Sequence, residues 1–221
     1  VLQRFDFTYS SPQATPLSTR HSFSALPSDE SVEPSGPILA RYVALGRHRP
    51  EHMAAAKRVL RYLCSTSRMG LVLGGRSPVV LTGHADASWV DDLATQRSSQ
   101  GYTFSLGSDP VSWRSTRSSS VLSSNCEGEI YAGAMAAQEL RWFTYLLTDL
   151  GEPPHSLPVL YVDNKAILLC FALLDWSCDH LFSPTLPMGA NTADIFTKAL
   201  QPCDYQRFCT MLGLLALLCF A

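Results

Sequence analysis

Four carboxylates stand where strands end or helices begin. Asp86 closes the apolar run VVLTGHADASW, Glu129 falls in the first turn of a long helical stretch, Asp163 ends VLYVDN, and Asp194 opens NTADIFTKAL. In an α/β fold such positions converge on one edge of a sheet, where carboxylates repel one another unless a hard cation neutralises them. Mg²⁺ takes oxygen ligands, and three or four carboxylates can hold two ions roughly 3.5–4 Å apart. One ion activates water and the other stabilises the leaving oxygen of a phosphodiester. Acids at helix starts also cap free N–H groups and favour the helix dipole, so spacing alone leaves both readings open. Asp91, Asp92 and Asp109 read as loop residues.

The elements that must position these acids follow from hydrophobic period. PEHMAAAKRVLRYLCST (50–66) predicts a helix, with Pro50 at its first position and Ala56, Val59, Leu60 and Leu63 as its apolar stripe. Residues 71–73 and 79–85 read as strands separated by the turn GGRSP. Tyr102, Phe104 and Leu106 alternate, as do Val111 and Trp113, which is strand spacing. A long helix is expected from Cys126 to Leu150, its apolar side carried by Ile130, Ala134, Ala137, Leu140 and Tyr145, with Gly151 as the stop. Residues 159–162 predict a buried strand, and 165–174, 192–200 and 205–215 predict helices. This order argues a mixed sheet with helices packed on it.

Composition narrows the class. The 221 residues are 46% hydrophobic, enough for a core, but only 16% charged, which points to a fragment or a covered surface. A net charge of −2 excludes a globally basic nucleic-acid binder. The apolar run 211–221 is too short to span a bilayer, so no membrane partner is expected. The start VLQRFDF lacks a signal-peptide pattern and an initial Met, again as a fragment would. Seven scattered cysteines without a CxxC pair, and histidines without HExxH, read as free thiols in a reducing, intracellular compartment, cytoplasm or nucleus.

The motifs HADASWVDD, RSSQGYTFSLG, VSWRSTRSSSVLSSNCEGEIYAG, LYVDNKA and NTADIFTKAL, in this order, resemble the ribonuclease H domain of copia-type LTR retrotransposon Pol polyproteins. The likeness covers about residues 79–169 and 191–213. HMAAAKRVLRYLCST resembles the helix joining reverse transcriptase to that domain. The resemblance implies a ribonuclease H-like α/β fold that hydrolyses the RNA strand of RNA/DNA hybrids with two Mg²⁺ ions, Mn²⁺ being the alternative metal. It implies Asp86, Glu129, Asp163 and Asp194 as catalytic metal ligands. Glu127 and Glu129 match the two acids of an EAEY motif; they lie roughly 200° apart on a helix, and the family favours Glu129. Ser88 replaces a frequent Asp. WVDD (89–92) is placed in a loop and is not a polymerase metal motif. The reverse transcriptase region of a parent polyprotein is the expected protein partner.

The likeness breaks between Asp163 and Asp194, where FALLDWSCDHLFSPTLPMGAN (171–191) shows neither a basic helix nor a convincing strand. The expected organisation is a disordered arm over 1–37, a connecting basic helix over 38–70, a ribonuclease H-like domain over 71–213 with an altered segment at 170–190, and an apolar tail at 214–221. Without the last strand, Asp194 is expected to float. A catalytically inactive remnant, at most a weak nucleic-acid-binding module, is therefore the competing reading. No polymerase palm is present, so the chain is not a reverse transcriptase on its own.

An RNA/DNA hybrid would be gripped through phosphates. The candidates are Lys57, Arg58 and Arg61 on the first helix, and Arg114 and Arg117 in the hydroxyl-rich SWRSTRSSS segment. Trp89, Trp113 and Trp142 read as core or edge packing. His84 reads as a strand-end histidine, with a proton shuttle as the alternative.

Overall fold

The computed structural model describes residues 11–19, 50–74, 80–92, 96–164, 182–183, 186 and 189–216. The alternating segments form four strands, β1 (Met69–Leu71), β2 (Leu81–Asp92), β3 (Arg97–Leu106) and β4 (Asp109–Arg117), preceded by helix α1 (Pro50–Ser65). Then come α2 (Asn125–Asp149), β5 (Val159–Tyr161), β6 (Phe182–Ser183), the short α3 (Asp194–Thr197), α4 (Pro202–Met211) and β7 (Leu214–Ala216).

The main sheet has the order β4-β3-β2-β5-β6, antiparallel through β4, β3 and β2 and parallel through β2, β5 and β6. This is the ribonuclease H-like mixed sheet with flanking helices that the motifs imply. The parallel half requires a crossover, and α2 supplies it. Its buried stripe is Ala132, Ala136, Leu140, Phe143 and Leu147, at spacings of three and four. Ala136, Leu140, Phe143 and Leu147, with Ala137, pack on Leu81, Ala85, Tyr102, Phe104, Leu160 and Val162 to form the core. The expected stripe is met in part: Ala137 and Leu140 are buried in the core and Ile130 and Ala134 pack against it, but Tyr145 is exposed, and Ala132, Phe143 and Leu147 were not among the expected residues. Gly151 closes the helix with φ +81°, and the N–H groups of Gly151 and Glu152 bond back to the carbonyls of Thr148 and Leu147.

Several expectations are corrected. WVDD is not a loop: it forms the end of β2, where the register shifts between Ser88 and Asp92 and Asp92 pairs with Arg97. The altered segment does contain a strand, the two-residue β6, which pairs Leu160 with Phe182 and Tyr161 with Ser183. Residues 212–215 are not helical. Gly213, at φ +66°, turns the chain from α4 into β7, which pairs antiparallel with β1. The helix expected over 192–200 is one turn, and that expected over 165–174 lies outside the described residues.

Part of the expected arm is packed. Thr15 is buried, Arg58 donates to its carbonyl (3.1 Å) and hydroxyl (2.7 Å) oxygens, and Ser65 donates to the Gln13 carbonyl. The contact side of α1 thus carries Arg58 and Tyr62, whose hydroxyl lies 2.7 Å from that of Tyr205. Val59 and Leu63 of the expected apolar stripe are exposed. Of the core or edge packing expected for Trp89, Trp113 and Trp142, the core half is not met, each being half-exposed: Trp89 donates to the Leu122 carbonyl, and Trp142 packs edge-on against Phe143. Cys64, Cys126, Cys203 and Cys209 are not joined in disulfides, and the other three cysteines lie outside the described residues. Among the described residues, no helix is long and apolar enough to cross a membrane.

Candidate metal centre

The parallel register of β2 and β5 pairs His84 with Tyr161. Asp86 comes two residues further along β2, and Asp163 two residues beyond the end of β5, so their levels match. The first turn of α2 then passes over Ala87, close enough that a Cβ on Gly128 would meet the Ala87 methyl at 3.5 Å. This brings Glu129 to the same place. One carboxylate oxygen from each of Asp86, Glu129 and Asp163 lies within 4.8 Å of the others.

Glu127 and Glu129 are sorted by this geometry. Ser124 caps α2 by accepting from the Glu127 N–H, and the Glu127 carboxylate accepts from the Ser123 N–H and hydroxyl, both at 2.7 Å. These bonds hold the Glu127 carboxyl below its usual range. Glu129 is 4% exposed, and its Oε2 has no hydrogen-bond partner. Burial first, then the charges of Asp86 and Asp163, push its pKa up to about 8, against the opposing pull of Lys198 and the Ala87 N–H. Asp86 is fully buried, and burial lifts it to about 6 despite Lys198 and Thr197. A buried carboxylate oxygen with no donor costs free energy. An all-oxygen set of this kind suits Mg²⁺, or Mn²⁺, rather than a softer metal.

Asp194 arrives from the other side. Asn191 donates to the Ala85 carbonyl at 2.9 Å and accepts from the Ala193 N–H at 3.1 Å, while Ser115 donates to the Phe196 carbonyl at 2.6 Å. Contrary to expectation, these bonds dock the turn that carries Asp194 without help from a long last strand. Asp194 lies outside the three-carboxylate group, and Lys198 joins it to Asp86: Nζ stands 2.9 Å from Asp86 Oδ1 and 2.8 Å from Asp194 Oδ1. The Thr197 hydroxyl donates to Asp86 Oδ2. Burial works against the Lys198 charge, but Asp86 and Asp194 more than offset it and hold the ammonium protonated. Sequence reasoning missed Lys198 and Thr197. Their signal was the spacing in ADIFTK, which puts a lysine four residues after an acid at the start of a helical turn.

The chain is 30% identical over 258 aligned positions to the retrovirus-related Pol polyprotein from transposon RE2 of Arabidopsis thaliana, covering 97% of this chain and 17% of that protein. It is 32% identical over 189 positions to the corresponding RE1 polyprotein of the same plant, covering 75% of this chain and 13% of that protein. The chain belongs to the retrovirus-related Pol polyproteins of copia-type transposons. It spans less than a fifth of those two Pol proteins. The 258 aligned positions exceed the chain's 221 residues, so RE2 carries residues in this span that the present Pol segment lacks. A 95-residue stretch is also 43% identical to the secreted RxLR effector protein 161 of Plasmopara viticola, covering 43% of this chain and 67% of that protein. No protein-family profile and no solved structure matches this Pol segment.

The expected phosphate-binding residues are dispersed over the Pol segment. Lys57 is exposed on α1, whereas Arg58 is engaged with Thr15, and Arg61 has a buried Nε without a partner. Arg114 and Arg117 are exposed on β4, and Arg114 bonds the Tyr102 hydroxyl. His84 stacks on Tyr161 with ring centroids 5.2 Å apart, and burial lowers its pKa to about 4. A neutral ring packed in this way, inside β2 rather than at the expected strand end, is a structural histidine and not a proton carrier near pH 7.

Proposed function

We propose that this Pol segment hydrolyses the RNA strand of an RNA/DNA hybrid. The reading is carried by the convergence of Asp86, Glu129 and Asp163 on one point, with the unpartnered Glu129 oxygen among them. Two divalent ions, when bound, would supply an activated water and charge stabilisation at the leaving oxygen. Asp86, Glu129 and Asp163 would hold the first, and Asp86 with Asp194 the second. Glu129 would give up its proton on binding, because a ligand carboxyl must be ionised. Lys57, Arg114 and Arg117 would contribute phosphate contacts along the strand.

A second reading is an inactive remnant that retains only weak nucleic-acid binding. It is favoured by the residues that RE2 has in this span and this chain lacks.

The deciding experiment is Mg²⁺-dependent cleavage of a labelled RNA/DNA hybrid by the purified chain, beside Asp163→Asn. Cleavage that disappears in the variant supports the nuclease reading. A folded chain that binds the hybrid but leaves it intact supports the remnant.

A further inference from the structure

Lys198 is a cation already in place. Its ammonium touches one oxygen of Asp86 and one of Asp194 at 2.9 and 2.8 Å, and Thr197 engages the other Asp86 oxygen. A divalent ion shared by these two carboxylates would sit about 2.0–2.1 Å from each oxygen. It would therefore stand where the ammonium stands, and like charges at that separation exclude each other. Glu129, whose Oε2 has no hydrogen-bond partner, belongs to the group formed with Asp86 and Asp163, of which Asp194 is not a member. We propose that Lys198 is a built-in occupant of the second cation position. The folded chain then takes one divalent ion at Asp86, Glu129 and Asp163, and admits a second between Asp86 and Asp194 only when the lysine withdraws. This rests on the metal-binding reading above and specifies its stoichiometry.

Two features make the exchange physically feasible. The Lys198 side chain is 37% exposed, so its ammonium can swing into water without unpacking the core. The turn that carries Asp194 is held by bonds independent of the lysine, Asn191 to the Ala85 carbonyl and Ser115 to the Phe196 carbonyl. The second position therefore persists after the ammonium leaves. A substrate phosphate, which attracts an ammonium, is the natural partner to draw it out.

The test is a titration of the full chain with Mn²⁺, reading free ion by electron paramagnetic resonance, for wild type, Lys198→Met and Lys198→Arg. The expected result is one tight ion in wild type and Lys198→Arg. In Lys198→Met a second ion should bind about tenfold tighter or more than in wild type. Two tight ions in wild type, or an unchanged second-ion affinity in Lys198→Met, overturn the proposal and leave the metal reading standing. No ion in any variant, each folded by circular dichroism, overturns the metal reading and this proposal with it. Should Lys198→Met fail to fold, acylation of Lys198 in wild type decides, read by mass spectrometry. One equivalent of Mn²⁺ should leave its rate unchanged, and a several-fold acceleration would overturn the proposal.

Discussion

Asp86 and Gly101 are cross-strand partners in the β2–β3 ladder, and the side chain missing at Gly101 lets the α3 turn lie beside the carboxylate. A Cβ there would stand 2.9 Å from Phe196 Cβ and 3.0 Å from Thr197 Cγ2. Since Thr197 and Lys198 both bond Asp86, the glycine on one strand determines what surrounds the acid on the other.

Gly101→Ala is therefore expected to push α3 off the sheet and to destabilise the fold by about 1–3 kcal/mol, the usual cost of overpacking. Thermal unfolding reads the loss. A variant as stable as wild type would show that α3 does not depend on this contact.

Glu127→Gln and Glu129→Gln should separate cleanly. Glu127 serves the α2 cap, so its loss is expected to cost about 1 kcal/mol or less and to leave Mn²⁺ affinity intact. Glu129→Gln should remove tight Mn²⁺ binding while the chain stays folded. Calorimetric titration of both variants checks the pair, and equal losses would contradict the division of roles.

Without metal, stability should fall as pH rises. Glu129 is lifted from the ordinary 4.5 to about 8 and Asp86 from 3.8 to about 6, so between those limits the native state holds protons that the unfolded chain has released. Stability is then greatest below about pH 4 as far as these two groups decide it, declines through Asp86 up to about pH 6 and through Glu129 up to about pH 8, and levels off above. The slope per group is bounded by about 1.4 kcal/mol per pH unit. Thermal melts in a chelator across this range should show the decline. Mg²⁺ should raise the melting temperature more at pH 8 than at pH 6, and Glu129→Gln should flatten the upper half of the profile.

Lys57→Ala and Arg58→Ala should differ although the residues are adjacent. The exposed Lys57 is expected to contribute to hybrid binding, lowering the salt dependence by about one phosphate contact when removed. Arg58 bonds Thr15, so its loss should lower stability by about 1–3 kcal/mol with little change in that salt slope. Binding measured against salt, with parallel melts, distinguishes the two.

Much of the sheet was legible because alternation in Tyr102–Phe104–Leu106 marks the face packed on α2 and an apolar run precedes Asp86; that Gly101 and Thr103, on the other face, are buried too was not legible. The three convergent acids were legible because the apolar runs before Asp86 and Asp163 and a helix start are visible in the sequence, although β2 continues past Asp86 to Asp92 instead of ending there. What escaped was set by tertiary contact. β7 is three apolar residues with no alternation to read, and it is a strand only because β1 offers it a ladder. β6 is two residues long and exists by pairing with β5. The expected α2 stripe left out Gly128, Ala132, Gly133 and Ala136, because these small residues carry the close approach to the sheet without a strong hydrophobic signal. Thr15 is buried through a partner 43 residues away, which no local pattern announces.

The β1–β7 ladder also ties together two stretches of chain that are distant in sequence. Met69 lies opposite Ala216 and Leu71 opposite Leu214, so the strand that follows α1 and the strand that follows α4 meet edge to edge. A ladder of that kind is a clasp: neither half can peel away without loosening the other, so opening it is a joint event.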